Sequence, residues 1–294
     1  MTVSGLHVPL VTPFSSDGRL DADALAAHAD AVLDEGAAGL VALGTTGEPA
    51  TLSTEEAWRV VDVCAVICAE HGRPLTVGAG SNSTSATVEM LARLDARVAA
   101  ALVVVPYYTR PSQDGVVEHF RHLASVSPVP LIVYNVPYRT GLTLAVDTLR
   151  RLAELPNVIG FKHSVGAIDE ATIDFMNELD PDVSVLAGDD LFAGPLVALG
   201  ARGAVMASAN VATRSYADLL VAWEHGLSGQ ARTSHVDLVP LTRALFAKPN
   251  PSVIKAVLAA QGRISSPHVR LPMVPASNAA VSVALDRLGV LAAS

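Results

Sequence analysis

Two hydrophobic periods take turns along this chain. Short runs that are apolar on both faces fall at 6–13, 39–43, 74–79, 101–105, 131–134, 157–164, 183–187 and 203–207. Between them, and after the eighth, lie stretches with apolar residues three and four apart, at 21–35, 53–70, 84–97, 113–126, 144–155, 168–179, 192–199 and 215–224. The first pattern is that of buried strands, the second that of helices packed by one face. In 21–35 the buried stripe is Leu25, His28, Ala29, Val32 and Leu33, and Gly36 closes it. The helix at 53–70 opens with Ser53 and Glu56, the spacing at which each side chain caps the other's backbone N–H.

Eight strand-then-helix units with strands buried on both faces predict a closed parallel α/β barrel, the (β/α)8 or TIM-barrel class. An open doubly wound sheet would carry a Gly-rich phosphate loop after its first strand, and no such loop follows 6–13. Three more helical stretches follow, at 228–246, 252–261 and 277–292, without a flexible linker before them. The expected organisation is a barrel at 1–226 and a C-terminal helical extension at 227–294 packed on it.

Composition narrows the picture. Of 294 residues, 50% are hydrophobic and 17% charged, which supports a large core and excludes disorder. A formal charge of -9 without any Lys/Arg run excludes nucleic acid as a partner. No segment approaches the ~20 apolar residues of a membrane span, and Met1 to Pro13 lacks the pattern of a signal peptide. Cys64 and Cys68, four apart in a helical stretch, read as free buried thiols, since a metal site needs more ligands than lie nearby. These features describe a soluble, cytoplasmic protein.

A barrel of this class works at the C-terminal ends of its strands. The second strand delivers Thr45 and Thr46 between Gly44 and Gly47. Their hydroxyls and backbone N–H groups suit a carboxylate, and a plain Gly-rich turn fits the same residues. The fourth delivers Tyr107 and Tyr108, as a chemical pair or as packing. The fifth delivers Tyr134, able to relay protons, and Arg139, which reads as a carboxylate clamp or as a surface ion pair.

The sixth strand delivers Lys162 and the seventh Gly188. A buried cation is costly, and desolvation favours the neutral amine that attacks carbonyls. The other reading of Lys162 is a chain that has simply reached water, as lysines usually do. Glu118, His119 and His122 are expected on a solvated helix flank, and neither a metal constellation nor a Ser/His/Asp triad is apparent. Together the strand ends fit amine catalysis on a keto acid.

With these residues the chain resembles the dihydrodipicolinate synthase and N-acetylneuraminate lyase superfamily of class I pyruvate aldolases. The resemblance runs through Gly-Thr-Thr-Gly-Glu (44–48), Pro-Tyr-Tyr (106–108), Tyr-Asn-Val-Pro (134–137), the lysine strand and Gly-Asp-Asp (188–190). It continues in Pro-Asn-Pro-Ser-Val-Ile-Lys (249–255) and Arg-Leu-Pro-Met-Val-Pro (270–275). Tyr-Arg-Thr-Gly at 138–141, with Pro137 before it, is similar to the synthase branch.

The resemblance implies that Lys162 forms a Schiff base with pyruvate while Thr45 and Thr46 hold the pyruvate carboxylate. Tyr134 is then the acid/base, linked through Thr45 to Tyr108. Val205 and Gly188 lie by the substrate, and Arg139 takes the carboxylate of the second substrate. Tyr107 reaches across a tight dimer interface, so a homotetramer built as a dimer of dimers is implied. No cofactor is implied beyond the imine itself, and the partners are small molecules, pyruvate and an aldehyde. The implied reaction joins pyruvate to L-aspartate semialdehyde, giving 4-hydroxy-tetrahydrodipicolinate for lysine biosynthesis. A related aldolase or dehydratase acting on a sugar acid or hydroxy-keto acid is the alternative, and a non-catalytic metabolite-binding barrel is a third reading. The chain departs from the synthase pattern at His163-Ser164-Val165 after the lysine, at Thr109 and at Arg97. Thr54 and Ala86 stand where lysine-inhibited synthases carry a histidine and a glutamate, so inhibition by lysine is expected to be weak or absent.

Overall fold

Strands buried on both faces have no side to offer water, and the eight apolar runs leave no open edge either. The computed structural model describes residues 3–177 and 179–293. Its strands are β1 Gly5–Pro9, β2 Gly39–Ala42, β3 Leu75–Gly78, β4 Ala100–Val104, β5 Leu131–Asn135, β6 Val158–His163, β7 Ser184–Ala187 and β8 Gly203–Val205. They close into a barrel in sequence order, β1 through β8. The helices between them are α1 Ala22–Asp34, α2 Thr54–Glu70, α3 Thr84–Leu91, α4 Gln113–Val126, α5 Pro137–Thr140, α6 Val146–Ala153, α7 Glu170–Asn177 and α8 Ala193–Ala198. After the last strand come α9 Thr213–Glu224, α10 Ser228–Leu245, α11 Ser252–Ala260 and α12 Asn278–Ala293. This is the (β/α)8 class with C-terminal helices. Met1, Thr2, Glu178 and Ser294, which fall within the N-terminal reading, the 168–179 helix and the 227–294 extension, lie outside the described residues.

Local chemistry explains most boundaries. Ser53 and Glu56 make the reciprocal cap of α2, and Asp21 accepts from Ala24 N at the start of α1. The helix expected to run to 97 stops at Leu91. Leu91, Leu94 and Val98 are buried at helical spacing, which makes the sequence read on as helix. The backbone instead tightens into turns, Arg93 N to Met90 O and Leu94 N to Leu91 O. The single turn α5 carries too few residues to show a period, and starts on Pro137.

By packing, the chain forms two compact units, one of Met1–Gly5 with Leu75–Val205 and the other of Leu6–Pro74 with Met206–Ser294. In the first, Phe161 of β6 meets Phe175 of α7 edge to face at 5.0 Å. In the second, Leu241, Leu245, Val253, Ile254 and Leu258 from α10 and α11 bury a common core with Val11 and Val211. Among the described residues no helix is long and apolar enough to cross a membrane. Cys64 and Cys68 are free and buried, as expected. Burial pushes both thiols up, Cys68 to about 12.

Contrary to expectation, His119 does not lie on a solvated flank: it is 6% exposed, with Nδ1 against Thr84 Oγ1 at 2.9 Å. Glu118 and His122, its neighbours on α4, do face water. The apolar face of α4 runs through Val116, Phe120 and Leu123, and position 119 falls inside it.

His119 joins His28 and His163 as a buried histidine, and burial holds each down at about 4. The ordinary value, kept in the unfolded chain, is ~6.5. Between those limits the unfolded chain binds the extra protons, so stability present above pH ~6.5 drains as pH falls toward 4, by up to ~1.4 kcal/mol per pH unit for each histidine. Thermal melts should show Tm falling steadily from pH 6.5 to 4.5. A flat profile would mean that these imidazoles stay as accessible to protons in the native state as in the unfolded one.

Candidate active site

On β6 alternate side chains point to opposite sides, which separates Lys162 from His163. Lys162 is 5% exposed and sits in register with Tyr134 of β5 on one side and Leu186 of β7 on the other. Its Nζ lies 4.2 Å from the centroid of the Tyr134 ring, and Tyr134 is itself buried. A lysine inside a barrel wall with a phenol for its neighbour is not a lysine reaching water.

Gly188, one step beyond β7, donates its N–H to His163 O at 2.9 Å. A Cβ at this position would overlap Ser164 Oγ and lie 2.8 Å from Lys162 Cγ and 3.0 Å from its Cε. Glycine is needed here for space. Gly188→Ala should push the lysine stem aside and lower turnover by ~100-fold, since a shift of about 1 Å at a reacting group has that effect. Steady-state kinetics on a variant that melts like the parent checks this. Turnover equal to wild type would mean that the crowding is relieved without moving Lys162.

Other predicted residues of this unit range from buried to exposed. Val205 ends β8 and is buried. Tyr107 is half-exposed at 40%, and Tyr108 is 87% exposed with φ of +67°. Arg110 in the same loop also has positive φ, +46°, so this segment holds two non-glycine residues in the left-handed region. Arg139 is exposed, its guanidinium carbon 5.7 Å from the Tyr138 ring centroid. Tyr138 donates to Asp189 Oδ1 at 3.0 Å, and Gly166 N donates to the other carboxylate oxygen at 2.7 Å. Tyr138 is 60% exposed overall, but partial desolvation around its hydroxyl, reinforced by Asp189, pushes the phenol up, so it stays a donor. The bond ties the arginine loop to the end of β7.

His163, where the chain leaves the synthase pattern, faces the helix layer. Its ring lies 5.6 Å from Phe175 of α7, and its Nε2 is 3.2 Å from Thr172 Oγ1. Thr172 Oγ1 donates on to Asp169 at 2.8 Å. His163 therefore helps fasten α7, on the side of the strand away from Lys162.

The second unit carries the Thr45–Thr46 turn. Thr45–Gly47 is one turn of 3-10 helix, with Gly47 N bonded to Gly44 O at 2.9 Å. A Cβ on Gly47 would come within 3.2 Å of Leu10 O. Thr46 is buried, Thr45 half-buried. Thr46 Oγ1 accepts from Asn250 Nδ2 at 3.0 Å. Glu48, in the left-handed region at φ +52°, turns its carboxylate inward to Lys255 Nζ at 2.9 Å and Arg270 N at 3.0 Å. None of Asn250, Glu48, Lys255 and Arg270 stands out as a site residue in the sequence. All four lie within the motif strings at 44–48, 249–255 and 270–275. Among the described residues no group of three or more His, Cys, Asp or Glu is placed to hold a metal ion.

A closed (β/α)8 barrel with a buried lysine near the end of β6, beside a tyrosine from β5, is the framework of an imine-forming lyase. The chain belongs to the dihydrodipicolinate synthetase family, whose model matches residues 2–286. It is 39% identical over 295 residues to a 4-hydroxy-tetrahydrodipicolinate synthase of Pseudomonas aeruginosa, covering 99% of this chain and 100% of that one. It is 42% identical over 286 residues to the enzyme of that name from Hyphomonas neptunium, with 96% of each covered. Its fold matches the crystal structure of dihydrodipicolinate synthase from Thermotoga maritima with a TM-score of 0.94, at 32% identity and 99% coverage of both chains. It matches the pyruvate complex of the Acinetobacter baumannii enzyme with a TM-score of 0.93, at 33% identity and 98% coverage of both.

Proposed function

We propose that this protein is a 4-hydroxy-tetrahydrodipicolinate synthase, joining pyruvate to L-aspartate semialdehyde. The observation that carries the reading is the pairing of buried Lys162 with Tyr134 in a chain of this family. Lys162 Nζ attacks the C2 carbonyl of pyruvate and water leaves, giving the imine. Tyr134 helps take a proton from the methyl carbon, which becomes the enamine nucleophile and attacks the aldehyde. The amino group of the second substrate then displaces Lys162 by transimination, freeing the cyclic product and the amine.

In this reading Thr45 and Thr46 bind the pyruvate carboxylate, and Arg139 binds the carboxylate of the aldehyde substrate. Thr45 also links Tyr134 to Tyr108, while Val205 and Gly188 border the substrate. Tyr107 completes a partner's site across a dimer interface within a homotetramer. Residues 1–226 carry the barrel and 227–294 the extension. Protonated imine replaces any external electrophile, so no cofactor is called for. Buried free thiols fit a reducing compartment, and the proposed location is the cytoplasm. Purified, chelator-treated protein supplied with both substrates should consume them and release the cyclic product. Cleavage of sugar acids or hydroxy-keto acids without condensation would contradict the proposal.

A further inference from the structure

The strings at 249–255 and 270–275 have no part in the chemistry above, yet they end on the Thr45–Thr46 turn. Glu48 anchors one end of that turn through Lys255 and Arg270. Lys255 Nζ also donates to Thr12 O at 2.8 Å, and Thr12 Oγ1 donates to Gly47 O at 2.7 Å. The backbone of the turn is thereby held from two directions. What these bonds leave open is the direction of the Thr46 hydroxyl proton.

A threonine hydroxyl has one proton to give and two lone pairs to receive. Asn250 Nδ2 donates to Thr46 Oγ1 at 3.0 Å, so that contact occupies a lone pair and leaves the proton for another acceptor. The amide oxygen of Asn250 is buried without a partner among the described residues, so the bond to Thr46 is what this side chain is placed to make. We propose that Asn250 is a positioning residue that makes the Thr46 hydroxyl a dedicated donor to the substrate carboxylate. The inference rests on the assignment of Thr46 to the pyruvate carboxylate made above, and it predicts that residue 250 governs pyruvate affinity without entering the chemical steps.

The test uses Asn250→Ala, Asn250→Asp, Thr46→Val and the Thr46→Val/Asn250→Ala double variant, with Tm measured for each. Asn250→Ala should raise KM for pyruvate about tenfold, the scale of one hydrogen bond to a charged group, with kcat and the aldehyde KM within about twofold. Asn250→Asp keeps the size but can only accept, so it should take the Thr46 proton and raise the pyruvate KM further. It also carries the test if alanine unfolds the loop. A packing role would make the aspartate variant the milder of the two. In the Thr46→Val background Asn250→Ala should add nothing, because the hydroxyl it acts through is gone. Effects that multiply across the double variant, or an Asn250→Ala enzyme with wild-type pyruvate KM, would overturn the assignment of Asn250 alone. Wild-type protein that pyruvate and borohydride leave unlabelled would overturn the proposed function, and this inference with it.

Discussion

Replacing Lys162 with arginine is expected to lower turnover by ~1,000-fold or more while leaving the fold intact, because the step it removes has no substitute. A guanidinium does not give up its proton at any working pH and forms no imine with a ketone. It can still lie against the Tyr134 ring, which Lys162 Nζ already approaches to 4.2 Å, so the barrel wall keeps its contacts. Circular dichroism and Tm establish that the variant is folded, and steady-state kinetics reads the loss. Turnover within about tenfold of wild type would mean that Lys162 is a wall residue and that another group does the chemistry.

The second large effect concerns stability. Lys255 and Glu48 are 0% and 2% exposed, 2.9 Å apart, and Lys255 Nζ also lies 4.1 Å from the Phe14 ring centroid. Burial pulls the Lys255 ammonium down to about 8, and the Glu48 carboxylate beside it works against that fall. Lys255→Met should cost ~3–5 kcal/mol, since it strands the Glu48 carboxylate in a dry interior. The double variant Glu48→Gln/Lys255→Met should lose less than the single one. No charge is then left unpaired, and the amide oxygen introduced at position 48 still accepts from Arg270 N. Urea denaturation of the three proteins checks this. A single variant within ~1 kcal/mol of wild type would show that water reaches Glu48 in the native state.

Much of this fold is legible in the sequence because both periods repeat cleanly. The strands at 101–105 and 157–164 need only their apolar runs, and the helical stretch at 113–126 coincides with α4 at both ends. Errors arise where spacing and backbone part company. Leu91, Leu94 and Val98 keep helical spacing through turns, and His119 occupies an apolar face that its polarity disguises. The candidate residues divide in the same way. The places of Lys162, of Tyr134 and of the Thr45–Thr46 turn follow from where strands end. Asn250, Lys255 and Arg270 lie far along the chain from the turn they hold, and no local pattern joins them to it. Strand alternation, applied to β6, is the signal that puts His163 on the side of α7.

Only three lysines occur in the chain, Lys162, Lys248 and Lys255, so an imine can be assigned to one of them by peptide mass. Wild-type protein incubated with pyruvate, reduced with borohydride, digested and analysed by mass spectrometry should carry the reduced pyruvate adduct on the peptide containing Lys162 and on neither other lysine. No adduct, or an adduct at Lys248 or Lys255, would contradict the imine mechanism.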